Sequence, residues 1–249
     1  MKAIRALRRR QGEHAILEGP HLVEEAVSAR IEIQSLLLTP ELASLPRWRD
    51  LGASLARPPI VVAADLLADL ADADSPRGAL AVARLARGGA STLPVVEDGL
   101  YLYLDGVQDP GNLGALARVA EAFDVAALAL GPGCAHPNHP RALRASAGSL
   151  LRLTAARDVG AEALASHLAS ISPLWAALEA HGGVALPGER PEGPLVLALG
   201  AEGSGLSEAT RARVSTLWTI PLSGRVESLN VAVAAGIALH ALRPRRARV

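Results

Sequence analysis

The sequence predicts an α/β protein whose main domain is built on a parallel β-sheet. Half of its 249 residues are apolar, which is enough for a substantial core in one domain or two. Short, continuously apolar segments alternate with helical patterns, and such strands are typical of a parallel sheet covered by helices on both faces. The apolar content excludes a disordered chain, and the absence of a glycine period excludes a fibrous one.

Residues 1–87 are expected to form a small α/β domain in front of this sheet. Its predicted elements are a helix over 20–29, a strand over 31–38, a strand over 60–62, a helix over 64–70 and a strand over 79–82. Two glycines, small polar residues and Pro94 then interrupt the pattern. Because such a stretch has little to bury, we place a linker at 88–97.

Residues 98–249 are expected to form the second domain, which contains the parallel sheet. Its predicted elements are strands over 100–104, 125–130 and 194–199, helices over 113–123, 161–168 and 174–180, and an apolar helix from Val231 onward. No pattern within 153–194 carries recognisable chemistry.

The sequence also bounds the cellular context and the class of site. Cys134 is the only cysteine, so neither a disulfide framework nor a thiolate zinc site is expected. No secretory signal or membrane span is visible, since the longest apolar run, 231–242, falls short of ~20 residues. We therefore expect a cytoplasmic protein. His136 and His139 lack a third ligand nearby, so no metal site is expected.

Basic residues crowd both ends of the chain. They are Lys2, Arg5, Arg8, Arg9 and Arg10 at the start, and Arg243, Arg245, Arg246 and Arg248 at the end. Arginine suits bidentate contacts to phosphate, although solvated termini would have the same composition. With six aromatic residues in the chain, an RNA surface made of stacked rings is not expected, and a nucleic acid would be held mainly through its phosphates.

The first unusual segment runs from Asp105 to Ala120. It places Asn112, a good helix N-cap residue, and Gly114 before Arg118. A capped helix with a solvated arginine would explain the same residues.

The second and third unusual segments lie near the C-terminus. A glycine-rich turn, 200–205, directly follows a buried strand, which is where α/β sheets usually bind ligands. It is neither a dinucleotide fingerprint nor a Walker loop, and Glu202 would repel a pyrophosphate. In the third segment, Ser228 and Asn230 precede the apolar helix. A plain tight turn and a simple N-cap are the alternatives for these two segments.

Together the three segments resemble the SpoU-type (TrmH-like) members of the SPOUT superfamily, which are S-adenosylmethionine-dependent RNA ribose 2′-O-methyltransferases. The matching stretches are 109–114 with Arg118, 199–206, and 220–221 through 227–231, in that order. Residues 144–150 also resemble the family's stretch between its first two motifs. Residues 1–87 resemble, through Glu18-Gly19 and 75–78, the ribosomal-protein-like RNA-binding domain that many members carry in front.

The resemblance implies a catalytic domain with a deep C-terminal trefoil knot, a homodimer with the active site near its interface, and an RNA substrate. It also implies S-adenosyl-L-methionine as cofactor. By motif position, the cofactor-binding residues would be Leu199, Gly200, Gly203, Ile220, Leu222, Ser228 and Leu229. The family's active-site polar positions are matched by Asn112, Arg118, Glu202, Ser228 and Asn230.

We interpret Arg118 as the residue that binds the RNA phosphate and activates the 2′-hydroxyl. Asn112, Ser228 and Asn230 would fix Arg118 and the nucleotide, and Glu202 would orient Arg118 or hold its loop. Methyl transfer requires mainly alignment of the hydroxyl and removal of its proton. The appended front domain favours ribosomal RNA over transfer RNA as substrate. Two alternatives are a non-catalytic RNA-binding or ribosome-associated protein and an oxidoreductase with a nucleotide-binding sheet; the latter predicts a fingerprint that the sequence lacks.

Overall fold

A computed structural model describes residues 12–71 and 77–243 and divides the chain into two compact units. Unit 1 comprises Met1–Ala86 and His136–Arg152, and unit 2 comprises Arg87–Ala135 and Leu153–Val249. Outside the described residues lie the stretch 75–76 and the basic residues at the two ends of the sequence, except Arg243. Within the described ranges, no helix is both long and apolar enough to span a membrane.

Unit 1 contains a four-stranded sheet of order β1-β4-β2-β3. Its elements in 12–86 are β1 (His14–Glu18), α1 (Pro20–Ser28), β2 (Ile33–Leu38), α2 (Pro40–Ser44), α3 (Pro46–Ala53), β3 (Ile60–Val61), α4 (Ala64–Leu70) and β4 (Ala79–Arg84). β4 pairs antiparallel with both β1 and β2. Ile16, Leu67 and Leu80 lie in its core. The predicted helices and strands are confirmed here, and β1 is an additional strand.

The segment 136–152 belongs to unit 1, although the sequence placed it in the second domain. It contains α6 (Pro140–Ala145) and α7 (Ser149–Arg152). The side-chain amide of Asn138 donates to the carbonyl oxygens of Gly12 at 2.9 Å and Leu85 at 2.7 Å. Arg144 forms an ion pair with the buried Glu18. Side chains thus attach this segment to both ends of β1.

Unit 2 contains the predicted parallel sheet, with seven strands in the order β7-β6-β5-β10-β8-β11-β9. All of its pairings are parallel. Its elements are β5 (Leu100–Asp105), α5 (Pro110–Ala122), β6 (Ala127–Leu130), β7 (Ala155–Ala156), α8 (Ala161–His167), β8 (Leu174–Leu178), β9 (Val184–Ala185), β10 (Leu195–Gly200), α9 (Glu208–Arg211), β11 (Thr216–Thr219) and α10 (Val231–Leu242).

One expectation for this part of the chain needs correction. The pattern over 174–180 forms β8 rather than a helix, because its alanines and leucines fill a position between two strands where both faces are covered. The stretch 88–97, where a linker is expected, includes a 3-10 turn (Ala90–Thr92) and buries Leu93, which is 4% exposed, in the core of unit 2.

The sheet brings the unusual segments to one edge. Gly200 at the end of β10 lies opposite Asp105 at the end of β5, and Leu199 lies opposite Leu178 at the end of β8. Because these strands are parallel, the chain leaves them in the same direction. This edge is where ligands bind in open α/β sheets.

Candidate active site

A pocket of about 550 Å³ lies at this edge of unit 2. Its lining comes from the chain that follows β8, from the end of β10 and its glycine turn, and from the loop between β11 and α10. The lining residues are Leu178, Glu179, Ala180, His181, Leu199, Gly200, Ala201, Glu202, Gly203, Gly205, Ile220, Leu222, Glu227, Ser228, Leu229, Asn230, Val231 and Ala234.

All residues predicted to bind the cofactor line this one pocket. They are Leu199, Gly200, Gly203, Ile220, Leu222, Ser228 and Leu229. Of the other predicted site residues, Glu202 and Asn230 line the pocket, whereas Asn112 reaches it through hydrogen bonds and Arg118 is not in the lining.

The stretch 178–181 also lines the pocket and was not predicted from the sequence. It consists of the last residue of β8 and the three residues that follow, and this part of the chain was interpreted as a helix. The continuous burial of Trp175, Ala176 and Ala177 resembles that of the other central strands. Had the apolar run been read as a strand, its carboxyl end would have been expected at the same edge as Gly200.

The glycine turn is held in a closed shape by its backbone. Ala201 and Gly205 exchange hydrogen bonds of 3.1 and 3.0 Å. A Cβ on Gly200 would lie 2.4 Å from the carbonyl carbon of Gly205, so only glycine fits there. Gly203 and Gly205 have φ values of 92° and 66°, in the left-handed region. The turn therefore places Glu202 at its tip by backbone conformation.

The first helix of the site is capped by Asp109, although the sequence predicted Asn112 as the N-cap residue. The Asp109 carboxylate accepts from the backbone N–H of Asn112 at 2.8 Å. Pro110 occupies the first turn, where its missing N–H costs nothing. The Asn112 side chain is therefore free of the capping role and available to the site.

Three polar side chains from the three segments form a closed hydrogen-bonded triangle. The Nδ2 of Asn112 donates to the Oε1 of Glu202 at 2.9 Å. The Nδ2 of Asn230 donates to the Oδ1 of Asn112 at 2.9 Å and to the Oε1 of Glu202 at 3.4 Å. The Oδ1 of Asn230 accepts from the N–H of Ala232 at 3.0 Å and so caps α10, as one alternative predicted.

Arg118 stands apart from this triangle. Its side chain is exposed on α5, and it has no hydrogen-bond or ion-pair partner in the part of the chain that the structure describes. The carboxylate of Glu202, expected to orient Arg118, is engaged by Asn112 and Asn230 instead. Arg118 thus presents an unpaired guanidinium at the surface.

The far end of the glycine turn is anchored by a buried carboxylate. The Oδ2 of Asp105 accepts from the N–H of Ser207 at 2.7 Å, and Ser207 caps α9 through the N–H of Thr210. On β5, burial raises the pKa of Tyr103 to about 12, although a side-chain hydrogen bond with Thr210 acts in the opposite direction. The hydrogen bonds of Asp105 and Ser207 therefore fix the position of the chain at the end of the glycine turn.

Two family sequence models match the chain. The model of the SpoU rRNA Methylase family matches residues 99–240, and that of the MRM3-like substrate binding domain matches residues 1–81. The first match includes all three unusual segments, and the second lies within unit 1.

Characterised relatives match along nearly the whole chain. The 23S rRNA (guanosine(2553)-2′-O)-methyltransferase RlmP of Bacillus subtilis is 30% identical, over 92% of this chain and 88% of its own. The 23S rRNA (uridine(2479)-2′-O)-methyltransferase of Streptomyces viridochromogenes is 30% identical, over 94% and 83%.

Solved structures match at similar coverage. The SpoU methyltransferase AviRb from Streptomyces viridochromogenes, in complex with AdoMet, has a TM-score of 0.87 at 25% identity, covering 97% of this chain and 96% of that one. An AdoMet-bound rRNA methyltransferase from Sinorhizobium meliloti has a TM-score of 0.81 at 25% identity, covering 96% and 92%.

Proposed function

The chain belongs to the SpoU rRNA methylase family, and we propose that it methylates a ribose 2′-hydroxyl of ribosomal RNA with S-adenosyl-L-methionine as the methyl donor. The observation that carries this proposal is the convergence of the three segments on one pocket, where Asn112, Glu202 and Asn230 join them. The rRNA 2′-O-methyltransferases among its relatives support the reaction and the substrate class.

The pocket suits the proposed donor. Its volume of about 550 Å³ is typical of sites for cofactors. The lining combines apolar side chains of Leu199, Ile220 and Leu229 with backbone exposed at glycines, which fits a ligand with an aromatic base and polar edges. The donor, when bound, supplies a methyl group on a positively charged sulfonium. Leu222 and Ser228 complete the set of residues proposed to hold it.

The proposed role of Arg118 follows from its exposure and its lack of a partner. An unpaired guanidinium is suited to bind a phosphate of the RNA with two parallel hydrogen bonds. A guanidinium holds its proton strongly and is a weak base, so we assign it to polarising the 2′-hydroxyl as the proton leaves. Asn112 lies six residues earlier on α5, about 9 Å along the helix axis, so the two reach different parts of a nucleotide.

The triangle of Asn112, Glu202 and Asn230 is proposed to align the three loops rather than to react. Each amide is oriented by a hydrogen bond, so the faces that remain open toward the substrate are fixed in advance. Ser228 lines the pocket two residues before Asn230 and is proposed to contact the nucleotide.

Ribosomal RNA is preferred to transfer RNA as the proposed substrate, and residues 1–87 are proposed as its recognition domain. The match of 1–81 to the MRM3-like substrate binding domain and the two 23S rRNA enzymes among the relatives support this choice. We place the protein in the cytoplasm, where ribosomal RNA is modified in bacteria. The non-catalytic alternative is disfavoured, because the polar residues proposed for the active site are all present in the three segments that resemble the family's motifs.

The homodimer and the trefoil knot complete the proposal. Val233 and Ile237 lie four residues apart on α10 and are 52% and 41% exposed, so this helix presents an apolar strip that a second copy would cover. α10 packs against α5, so the last described helix lies beside the first segment, and this contact supports the proposed knot.

The proposal is tested with labelled S-adenosyl-L-methionine, ribosomal RNA that lacks the modification, and nucleoside analysis of the product. We expect one 2′-O-methylated nucleoside from the wild-type protein and none from Arg118→Ala, with donor affinity nearly unchanged in the variant. Arg118→Lys keeps the charge but not the paired hydrogen bonds, and we expect most of the activity to be lost. Full activity of Arg118→Ala would refute the role of Arg118, and label in a base would refute the reaction.

A further inference from the structure

The pocket has an acidic lining. Glu179, Glu202 and Glu227 line it, whereas none of its lining residues is arginine or lysine among the residues that the structure describes. A lining of this composition creates a negative potential inside the pocket, and the low dielectric of its apolar walls strengthens that potential.

Of these three glutamates, Glu179 is the one that lies outside the three unusual segments of the sequence. It follows the buried strand β8, and its side chain is 19% exposed. Its Oε1 accepts from the Nη2 of Arg211 at 2.7 Å, whereas its Oε2 has no hydrogen-bond partner in the described chain. Both oxygens lie 3.9–4.0 Å from where a Cβ on Gly205 would be, so the carboxylate lies against the glycine turn.

The hydrogen-bond and ion-pair partners of Glu202 and Glu179 do not cancel this negative charge. Glu202 is bound by the neutral amides of Asn112 and Asn230, which orient it without neutralising it. Arg211 offsets part of the charge of Glu179, but its side chain is 47% exposed, so water screens it more strongly. The carboxylate side chains that line the pocket therefore keep a net negative charge.

This field distinguishes the two forms of the proposed cofactor. At neutral pH, S-adenosyl-L-methionine carries a net charge of +1, because its sulfonium adds to the balanced amino acid part, whereas the demethylated product is neutral overall. Resting on the function proposed above, we propose that Glu179 is a specificity-determining residue that makes the pocket prefer the cationic donor to its neutral product. The preference limits product inhibition, since the charge that the field attracts is lost with the methyl group.

The test compares binding of the donor and of S-adenosyl-L-homocysteine to the full chain by calorimetry, at neutral pH and at one fixed salt concentration. In Glu179→Gln, which is nearly isosteric, we expect the ratio of product to donor dissociation constants to fall about threefold to tenfold. The change should come mainly from weaker donor binding. Glu179→Asp keeps the charge and should restore most of the ratio.

Glu162→Gln is the matched control. Glu162 pairs with Arg213 in unit 2 but does not line the pocket, so this variant breaks another glutamate–arginine ion pair and should leave the ratio unchanged. Raising the salt from about 0.05 M to about 0.5 M should lower the ratio in the wild-type protein and much less in Glu179→Gln.

The outcomes separate this inference from the function on which it rests. If the wild-type protein bound neither ligand, the proposed function itself would fail. If both ligands bound and Glu179→Gln had the wild-type ratio, the charge preference would be refuted while the function stood. An equal loss of affinity for both ligands would show that Glu179 only supports the glycine turn, and would overturn the inference as well.

Discussion

The side-chain amide of Asn112 donates to the carboxylate of Glu202 at 2.9 Å, although 90 residues separate them in the chain. Asn230 bonds to both, so one residue from each of the three segments contributes to the same triangle. Asn112 follows β5, Glu202 follows β10 and Asn230 begins α10. The triangle therefore makes the position of each loop depend on the other two.

Replacing Glu202 tests whether this dependence matters for the reaction. Glu202→Ala removes the acceptor shared by the amides of Asn112 and Asn230, so both side chains lose their fixed orientation. We expect kcat for methyl transfer to fall about 100-fold, with a much smaller change in the dissociation constant of S-adenosyl-L-methionine. Single-turnover methylation of ribosomal RNA and calorimetry measure the two quantities.

Glu202→Gln is the control for this variant. A glutamine oxygen still accepts from both amides, so a positioning role predicts that kcat falls less than about tenfold. Equal losses in the Ala and Gln variants would indicate that the charge of Glu202, and not the alignment of the triangle, supports the reaction.

The glycine turn predicts a second effect. In Gly200→Ala, the new Cβ would lie 2.4 Å from the carbonyl carbon of Gly205 and 2.7 Å from the backbone nitrogen of Leu206, so the turn must move. We expect donor affinity to fall at least about tenfold and the free energy of unfolding to fall by about 1–3 kcal/mol.

Gly160→Ala provides the comparison in the same unit. Gly160 has a φ of −67°, and no atom lies within 4 Å of its added Cβ. Calorimetry and urea denaturation of both variants should show the donor affinity and stability affected only by the change at Gly200. Wild-type affinity in Gly200→Ala would show that the turn does not shape the pocket.

Much of the fold follows from patterns that depend on neighbours along the chain. The apolar runs that form β5 and β10 could be predicted as strands because each is flanked by turn residues on both sides. The run that became β8 was misread because Ala176 and Ala177 fit a helix equally well, and its strand conformation comes from pairing with β10 and β11. The addition of 136–152 to unit 1 rests on contacts of Asn138 and Arg144 with residues more than 50 positions away.

The candidate site likewise combines features that local patterns predict with features that depend on contacts between distant residues. The motifs placed all seven proposed cofactor residues at one pocket, because each loop follows a strand or precedes a helix that the pattern indicates. The exchange of roles between Asp109 and Asn112 was not predictable from residue type, since both are good N-cap residues. Glu179 was missed because the run before it was interpreted as a helix, and its place beside the glycine turn also depends on strand order, which a single sequence does not reveal.

Asn138 is expected to stabilise unit 1. Its side chain is buried and donates to the carbonyl oxygens of Gly12 and Leu85, at the ends of β1 and β4. Asn138→Ala leaves both oxygens without this donor, so we expect the free energy of unfolding to fall by about 2–3 kcal/mol. Asn138→Asp keeps the shape but cannot donate when ionised, and the loss should be at least as large. Urea denaturation measures both, and wild-type stability in either variant would contradict the assignment.

Tyr103 is expected to make the protein sensitive to alkaline pH. Burial raises its pKa to about 12, so the folded state favours the protonated phenol, and the stability that this contributes is complete below pH 10 and is lost as the pH rises toward 12. The full loss corresponds to about 2–3 kcal/mol, from about 1.4 kcal/mol for each pH unit. Tyr103→Phe has no proton to lose there, although it gives up the hydrogen bond with Thr210, which costs about 1 kcal/mol. In urea denaturation, Tyr103→Phe should therefore be less stable than the wild-type protein at about pH 9, and the difference should shrink and then reverse toward pH 12. A difference that stayed constant over this range would show that the phenol is not protonated more strongly in the folded protein than in the unfolded chain.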